Sequence, residues 1–193
     1  MPIVNNWWET RRQEIKKTVG ENFQHTSPMQ TTDIEKIVLN SGVSQAVGNK
    51  QLLDNTEKAL IQISHGQKPV VTYARKSITG FKLREGMPIG CKVTLRKKRA
   101  WDFLFELINL NLPLIANFQG FSNKKFDQKG NYNLGLDDLN IFPTVPYDLT
   151  FKNQGVQVTI VFKSSSSEEN SYFLGLLGFP FKEKDEKLSA TKK

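Results

Sequence analysis

Apolar residues recur along the chain with two different periods, which predict alternating helices and strands. The helical period of about 3.6 residues is found at residues 3–19, 49–64, 98–110 and 167–177. The alternation that is typical of strands is found at residues 34–43, 69–72, 90–96 and 155–162. Neither period is found at residues 73–90 and 117–147. Both segments contain glycines and prolines, which interrupt helices and strands, so we expect loops there.

Single residues refine these elements. Gly20 is predicted to end the first helix, Ser167 to cap the last one, and Phe105 to be buried. The helix at 49–64 has the clearest apolar stripe. Its predicted members are Leu52, Leu53, Thr56, Ala59, Leu60 and Ile63.

The order of the elements after the first helix contains the split β-α-β pattern of ferredoxin-like folds. We therefore predict an α+β protein in which helices pack on one face of an antiparallel sheet and a long basic loop joins two strands. A chain of 193 residues can bury one full core without metal or disulfide support. Residues 1–181 are predicted to form a single domain, and residues 182–193 a charged tail.

Few residues in this chain can carry catalysis. One cysteine and two histidines exclude a disulfide framework, a cysteine-based zinc site and a multi-histidine centre. Cys91 is expected to be buried, while the adjacent acidic pairs at 137–138 and 168–169 are expected to be solvated. No nucleophile elbow or Walker sequence is present. We therefore predict a protein without enzymatic activity, cofactor or metal.

Positive charge is concentrated in one part of the sequence. Residues 68–99 contain ten lysines and arginines against the single acid Glu85, a net charge of +9, whereas the whole chain carries +8. A basic segment in an otherwise near-neutral chain indicates a polyanionic partner.

Two parts of this segment fit a nucleic acid. The strand at 90–96 presents Lys92, Thr94 and Arg96 on one face, about 7 Å apart, close to the spacing of successive phosphates. The 73–90 loop combines cations with glycines and with Phe81, whose ring could stack on an unpaired base. A loop of this kind is expected to become ordered only with RNA.

Several stretches of the sequence resemble the bacterial-type family of large-subunit ribosomal protein five. They are colinear and span about residues 5–182. The matching stretches are 36–40 (KIVLN), 52–55 (LLDN), 66–69 (GQKP), 74–82 (ARKSITGFK), 88–96 (PIGCKVTLR), 122–132 (SNKKFDQKGNY), 141–143 (IFP) and 178–181 (GFPF).

The resemblance implies a structural protein of the large ribosomal subunit that binds 5S rRNA in the central protuberance. The rRNA-binding residues that it implies are Asn40, Gly42, Gln67, Phe81, Thr94 and Arg96. We add Lys92 to them, because it lies on the same face of the charged strand as Thr94 and Arg96. It also implies that the long loop contacts peptidyl-site tRNA. The loop residues concerned are Arg75, Lys76, Ser77, Gly80, Lys82 and Arg84. Further implied partners are large-subunit rRNA, neighbouring ribosomal proteins and a small-subunit head protein, with no membrane.

The sequence departs from the family pattern mainly at 113–137. Residues 113–120 read PLIANFQG where the family has several arginines. This loss weakens both the contacts with the small subunit and the secondary rRNA contacts that are expected of residues 113–137, whereas the 5S rRNA and tRNA contacts are kept. This loss and the added tail favour a mitochondrial, organelle-encoded ribosomal protein, with a plastid or bacterial ribosome as the alternative. The other functional interpretation is a basic RNA-binding or RNA-processing protein without a ribosomal role.

Overall fold

The computed structural model describes residues 7–43, 50–115, 117–149 and 154–182. Their helices are α1 (Trp7–Asn22), α2 (Lys50–Ile63), α3 (Lys98–Glu106) and α4 (Ser167–Leu176). Their strands are β1 (Ile34–Gly42), β2 (Val70–Tyr73), β3 (Pro88–Leu95), β4 (Tyr132–Leu136) and β5 (Val156–Phe162). The strands form one antiparallel sheet in the order β2-β3-β1-β5-β4, against which helices pack. The predicted α+β fold is confirmed.

The described residues fall into two compact units. One unit comprises the described residues within 7–36, 96–134 and 160–182 and contains α1, α3 and α4. The other comprises the described residues within 37–95 and 135–159 and contains α2, β2 and β3. The expected boundary between domain and tail stays a prediction, because residues 183–193 lie outside the described residues.

The unit that contains α2 is built on two apolar patterns that match each other. All six residues of the predicted α2 stripe are buried. On β3, Cys91, Val93 and Leu95 are buried in alternation with exposed or half-exposed neighbours. Helix α2 packs against β3, so the apolar stripe covers one face of this part of the sheet. No helix among the described residues of this unit packs on the opposite face of β3.

The unit that contains α1, α3 and α4 has an aromatic and aliphatic core. Trp101 and Phe162 both pack edge-on against the fully buried Phe173 of α4, with ring centroids 6.2 and 6.0 Å away. On the inner side of α1, Ile15 and Val19 are buried. Segments of chain that are far apart in sequence thus form one core in this unit.

Several details differ from the sequence-based expectations. Helix α1 continues through Gly20 to Asn22, because a glycine in the last turns does not by itself stop a helix whose inner side is packed. The cap of α4 is Ser166, not Ser167, and its hydroxyl accepts the N–H of Glu169. Phe105 is 46% exposed, since it lies on the outer side of α3. The irregular region 117–147 contains β4, which the sequence did not predict.

Candidate nucleic-acid interface

Three strands form an open face opposite the helix-covered side of the sheet. Asn40 of β1 lies directly opposite Lys92 of β3, and Lys92 lies opposite Val70 of β2. All three are exposed, Val70 to 68%. The next pair along the strands is Val38 and Thr94, both half-buried. We call this surface the open face; its residues on the three strands are Val38, Asn40, Gly42, Val70, Thr72, Gly90, Lys92 and Thr94.

Glycines occupy both strands at one end of the open face. Gly42 of β1 and Gly90 of β3 are register partners. Gly42 is exposed and carries no side chain, so a ligand can approach its peptide groups closely. Gly90 is buried, so at this end of the open face only Gly42 offers such access.

Residues 74–87, which we call the basic loop, connect β2 to β3. Tyr73 and residues 88–89, predicted as loop, belong to the strands, because the antiparallel pairing of β2 with β3 continues that far. At the base of the loop the N–H of Ala74 donates to Met87 O at 2.8 Å, and the N–H of Gly86 donates to Ala74 O. At its tip Ile78 and Leu83 exchange two backbone hydrogen bonds. The basic loop is therefore a hydrogen-bonded hairpin, in contrast to the expected disorder.

The tip of the basic loop is a short helical turn over Thr79–Phe81. Lys82 ends this turn in the left-handed conformation, with φ at 54°. Phe81 is 73% exposed, so its ring is presented to solvent and is not an anchor in the core. The N–H of Glu85 donates to Ser77 Oγ at 3.0 Å, which ties the two sides of the loop together.

The cations of the basic segment are exposed, and their charge is largely unpaired. All ten lysines and arginines between residues 68 and 99 are exposed. Apart from Arg99, which has an interaction of its own, none of them forms an ion pair within the described ranges. By contrast, Arg12 and Lys16 of α1 both pair with the buried Asp33. These two α1 residues thus share one internal counter-charge, whereas the nine cations of the basic segment other than Arg99 have no ion pair among the described residues.

The structure brings together some of the predicted site residues and separates others. Asn40, Lys92 and Thr94 share the open face, and Gly42 lies at its end. Gln67 lies in the turn before β2, where its carbonyl accepts the hydroxyl of Ser64. Arg96 directly follows β3 and is exposed. The remaining predicted residues belong to the basic loop and are all exposed: Arg75, Lys76, Ser77, Gly80, Phe81, Lys82 and Arg84.

Two apolar members of the open face were missed by the sequence analysis. Val38 and Val70 look like core residues in a sequence, since valine is typical of buried strands. The register places them beside Thr94 and Lys92 and thereby on the open face. The alternation within each strand was a usable signal, because 38 and 70 share the parity of polar neighbours.

The chemistry of an enzyme is not assembled on the described residues. Burial raises the pKa of the Cys91 thiol to about 11, and the carboxylates of Glu57 and Asp54 add to this rise. Glu169, expected on a solvated surface, is buried and accepts the N–H of Thr32 at 2.7 Å. The described ranges contain neither a group of ligands suited to a metal nor a helix long and apolar enough to cross a membrane.

Comparison with known proteins gives matches over nearly all of the chain. The family described as "Ribosomal protein L5" matches residues 27–84, and the model of the C-terminus of the same ribosomal family matches residues 88–181. The large ribosomal subunit protein uL5 of Syntrophomonas wolfei is 47% identical over 175 residues, which cover 91% of this chain and 98% of the relative.

Two further uL5 proteins give the same result. That of Baumannia cicadellinicola is 48% identical over 172 residues, covering 89% of this chain and 94% of the relative. That of Geotalea daltonii is 44% identical over 174 residues, covering 90% of this chain and 97% of the relative. These relatives are bacterial and lend no support to a mitochondrial origin. With such identity over such a share of both sequences, the chain belongs to the ribosomal protein L5 family.

Proposed function

We propose that the chain is a structural constituent of the large ribosomal subunit that binds 5S rRNA in the central protuberance through the open face and its flanking turns. The basic loop contacts peptidyl-site tRNA. The observation that carries this proposal is the row of Asn40, Lys92 and Val70 on a sheet face that no helix of its unit covers, bordered by exposed cations with no ion pair in the described structure. Membership of the family supplies the ribosomal context.

Each part of the 5S surface fits a different feature of RNA. Lys92 and Arg96 neutralise phosphates, which releases counterions and favours binding. Asn40, Thr94 and Gln67 offer hydrogen-bonding groups to ribose hydroxyls and base edges, which carry much of RNA recognition. Gly42 lets the RNA backbone approach the sheet. Phe81, with its ring in solvent, provides a stacking surface for an unpaired base.

The basic loop is suited to a second RNA. Arg75, Lys76, Lys82 and Arg84 are exposed on a hairpin whose backbone is hydrogen-bonded at base and tip. Phosphate contacts of this kind position a nucleic acid without reading its sequence, as a contact to many different tRNAs requires. Ser77 and Gly80 shape the loop: Ser77 accepts the N–H of Glu85, and Gly80 lies in the helical turn at the tip.

The remaining partners in this proposal are large-subunit rRNA, neighbouring ribosomal proteins and a head protein of the small subunit. Residues 113–120 are poor in cations, so the contact with the small subunit is the weakest of these. The mitochondrial compartment stays a prediction from the lost arginines and the added tail, and the bacterial relatives favour the bacterial alternative.

A salt titration tests the assignment of the open face. Binding of 5S rRNA is measured by gel shift between low and high salt for the wild type and for Lys92→Ala/Arg96→Ala. Each lost phosphate contact reduces the slope of log K against log salt by about 0.7 to 0.9, so the double variant should lose about 1.5 in slope and bind more weakly.

A matched control distinguishes the loss of a local phosphate contact from the effect of a lower net charge. Lys50→Ala/Lys58→Ala removes two exposed lysines from α2 and should leave the slope nearly unchanged. An unrelated RNA of similar length tests for a general RNA-binding protein, which would bind both RNAs alike. Equal affinities and slopes for the wild type and Lys92→Ala/Arg96→Ala would refute the open face as the 5S surface.

A further inference from the structure

Strand β2 lies at one edge of the five-stranded sheet, and only its inner side is paired. In the order β2-β3-β1-β5-β4 its single neighbour among the described strands is β3. A strand in this position leaves every second pair of N–H and C=O groups without a partner from the sheet. The hydrogen bonds around β2 and β3 identify the residues to which these groups belong.

The backbone groups that point away from the sheet are those of Val71 and Tyr73. The N–H of Ala74 donates to Met87 O, and Ala74 O accepts the N–H of Gly86, so both backbone groups of residue 74 are directed to the β3 side. In an antiparallel strand both groups of a residue point the same way, and the direction reverses at each residue. The even-numbered residues of β2 therefore pair with β3, and the odd-numbered ones do not.

The pairing of β3 with β1 gives the same result. The N–H of Val43 donates to Ile89 O at 2.9 Å, so the odd-numbered residues of β3 direct their backbone groups to β1. One of them is Cys91, which lies opposite Val71. Since the groups of Cys91 are directed to β1, Val71 has no backbone partner on β3.

Apolar side chains flank this row of backbone groups on both faces of the sheet. Val71 shares a face with Cys91, the face on which α2 packs against β3, and Tyr73 lies two residues further along the same side. Tyr73 is nevertheless 59% exposed and Val71 half-buried, so α2 covers β3 more fully than β2. On the open face, Val70 is exposed as well. An added strand would therefore find apolar surface beside its hydrogen-bonding partners.

Cations lie at both ends of β2. Lys68 precedes the strand, and Arg75 and Lys76 follow it. All three are exposed, and none forms an ion pair with another described residue. Glu85, the one acid of the basic segment, lies on the returning side of the basic loop, where its N–H donates to Ser77 Oγ. The positive charge along this edge disfavours pairing with a second copy of the same edge and favours an acidic partner.

We propose that the outer edge of β2 is a docking site for an extended acidic segment of another protein, which adds to the sheet as a sixth strand. The backbone of this segment pairs with Val71 and Tyr73, and its carboxylates meet Lys68, Arg75 and Lys76. Sheets recognise extended peptides in this way, with backbone hydrogen bonds supplying affinity.

The backbone groups favour a peptide over RNA, because only a peptide offers N–H and C=O groups at the spacing of a strand. The inference goes beyond the proposed function, in which the partners of the open face and of the basic loop are RNA. Its test uses no RNA to form the complex, so its outcome does not depend on whether those RNA contacts are made.

Binding of a synthetic acidic peptide tests this proposal. The probe has about eight residues, with glutamates at both ends and valines and threonines between them, and is titrated with full-length protein by fluorescence anisotropy. Val71→Pro removes an outward N–H group, and proline is tolerated in an edge strand at such a position. Val71→Ala keeps the N–H group and is the matched control. Val71→Pro should bind about five- to tenfold more weakly than Val71→Ala, while circular dichroism verifies that both are folded.

Two comparisons test the contribution of charge. A peptide with lysines in place of the glutamates should bind at least about tenfold more weakly than the acidic one. Lys68→Ala/Arg75→Ala/Lys76→Ala should weaken binding of the acidic peptide more than Lys17→Ala/Lys50→Ala/Lys58→Ala, which removes the same charge from exposed positions of α1 and α2. Equal losses in the two triple variants, or equal binding by Val71→Pro and Val71→Ala, would overturn the proposal.

Amide hydrogen exchange in the wild type provides a test that needs no substitution. At a peptide concentration of about ten times Kd, exchange at Val71 and Tyr73 should slow by about tenfold, whereas Val70 and Thr72, whose N–H groups already pair with β3, should change little. Unchanged exchange at Val71 and Tyr73 would contradict the added strand. Protection of these two groups at high protein concentration without peptide would instead identify a second copy as the occupant, and protection by an RNA duplex alone would identify RNA; either result would overturn the proposal.

Discussion

Gly42 and Gly90 face each other across β1 and β3, yet only one of them has room for a side chain. A Cβ on Gly90 would lie 2.6 Å from Ser41 O and 3.2 Å from the Thr72 hydroxyl, whereas a Cβ on Gly42 would meet nothing within 4 Å. Glycine is therefore required at 90 for packing. At 42 it leaves space on the open face that the fold itself does not need.

Alanine at these two positions should have opposite consequences. Gly90→Ala pushes a methyl group into backbone and should lower the free energy of unfolding by about 1 to 3 kcal/mol. Gly42→Ala should change stability by less than about 0.5 kcal/mol but weaken binding of 5S rRNA. Urea unfolding and gel shift measure the two effects. Equal destabilisation by both substitutions would contradict the difference in packing between the two glycines.

The free energy of unfolding should fall at acidic pH, because Asp33 becomes protonated. Desolvation alone would raise the pKa of Asp33, but hydrogen bonds from Arg12 and Lys16 hold it below its ordinary value of 3.8. A carboxyl with a lowered pKa in the folded state stabilises the fold above the unfolded-state value, and this contribution is lost as the pH falls through the folded-state pKa.

The variant Asp33→Asn isolates this effect. At pH 7 it should be less stable than the wild type by about 1 to 3 kcal/mol, since charged hydrogen bonds are lost. The difference between the two proteins should shrink below about pH 4. Urea unfolding across pH measures it, with Glu21→Gln at an exposed site of α1 as the control. A difference that stays constant down to about pH 3 would rule out Asp33 as the titrating group.

Cys91 should be inert while the protein is folded. Because its pKa is raised to about 11, the thiolate is scarce at about pH 8, and the side chain is inaccessible on the packed side of β3. Alkylation by iodoacetamide should be at least about 100-fold slower in native protein than in urea. Val70→Cys in a Cys91→Ala background provides an exposed thiol on the neighbouring strand. Comparable rates for native Cys91 and this exposed thiol would contradict the buried assignment.

The sequence predicted best those elements in which burial follows one simple period. Every member of the α2 stripe is buried, and β5 buries Val156, Val158, Ile160 and Phe162 as expected. In both elements a single surface packs, so periodicity alone identifies it. The family resemblance and the absence of enzymatic activity were likewise predicted and are confirmed by membership of a family of structural ribosomal proteins.

Features that depend on distant segments were not predictable in this way. Glu169 is buried because His25, Thr32 and Ser164 supply hydrogen bonds to its carboxylate, and residues 25 and 32 are far from it in sequence. Strand β4 has only five residues, and its regular alternation, with Gly135 at an exposed position, is short and lies within an irregular region of the sequence. Within the open face, polar residues on β3 were found from alternation. Asn40 was implied by the family resemblance, whereas its position beside Lys92, and that of Val70, needed the register between strands.

The hydrogen bonds at the base and tip of the basic loop have a consequence for how it meets its partner. Fixing the backbone of a flexible residue costs about 1 to 2 kcal/mol, and a loop that is already fixed avoids much of this loss. A hairpin with a fixed backbone can contact only a partner that lies at the correct distance and angle. If the proposed contact exists, its formation therefore depends on how the partner is positioned.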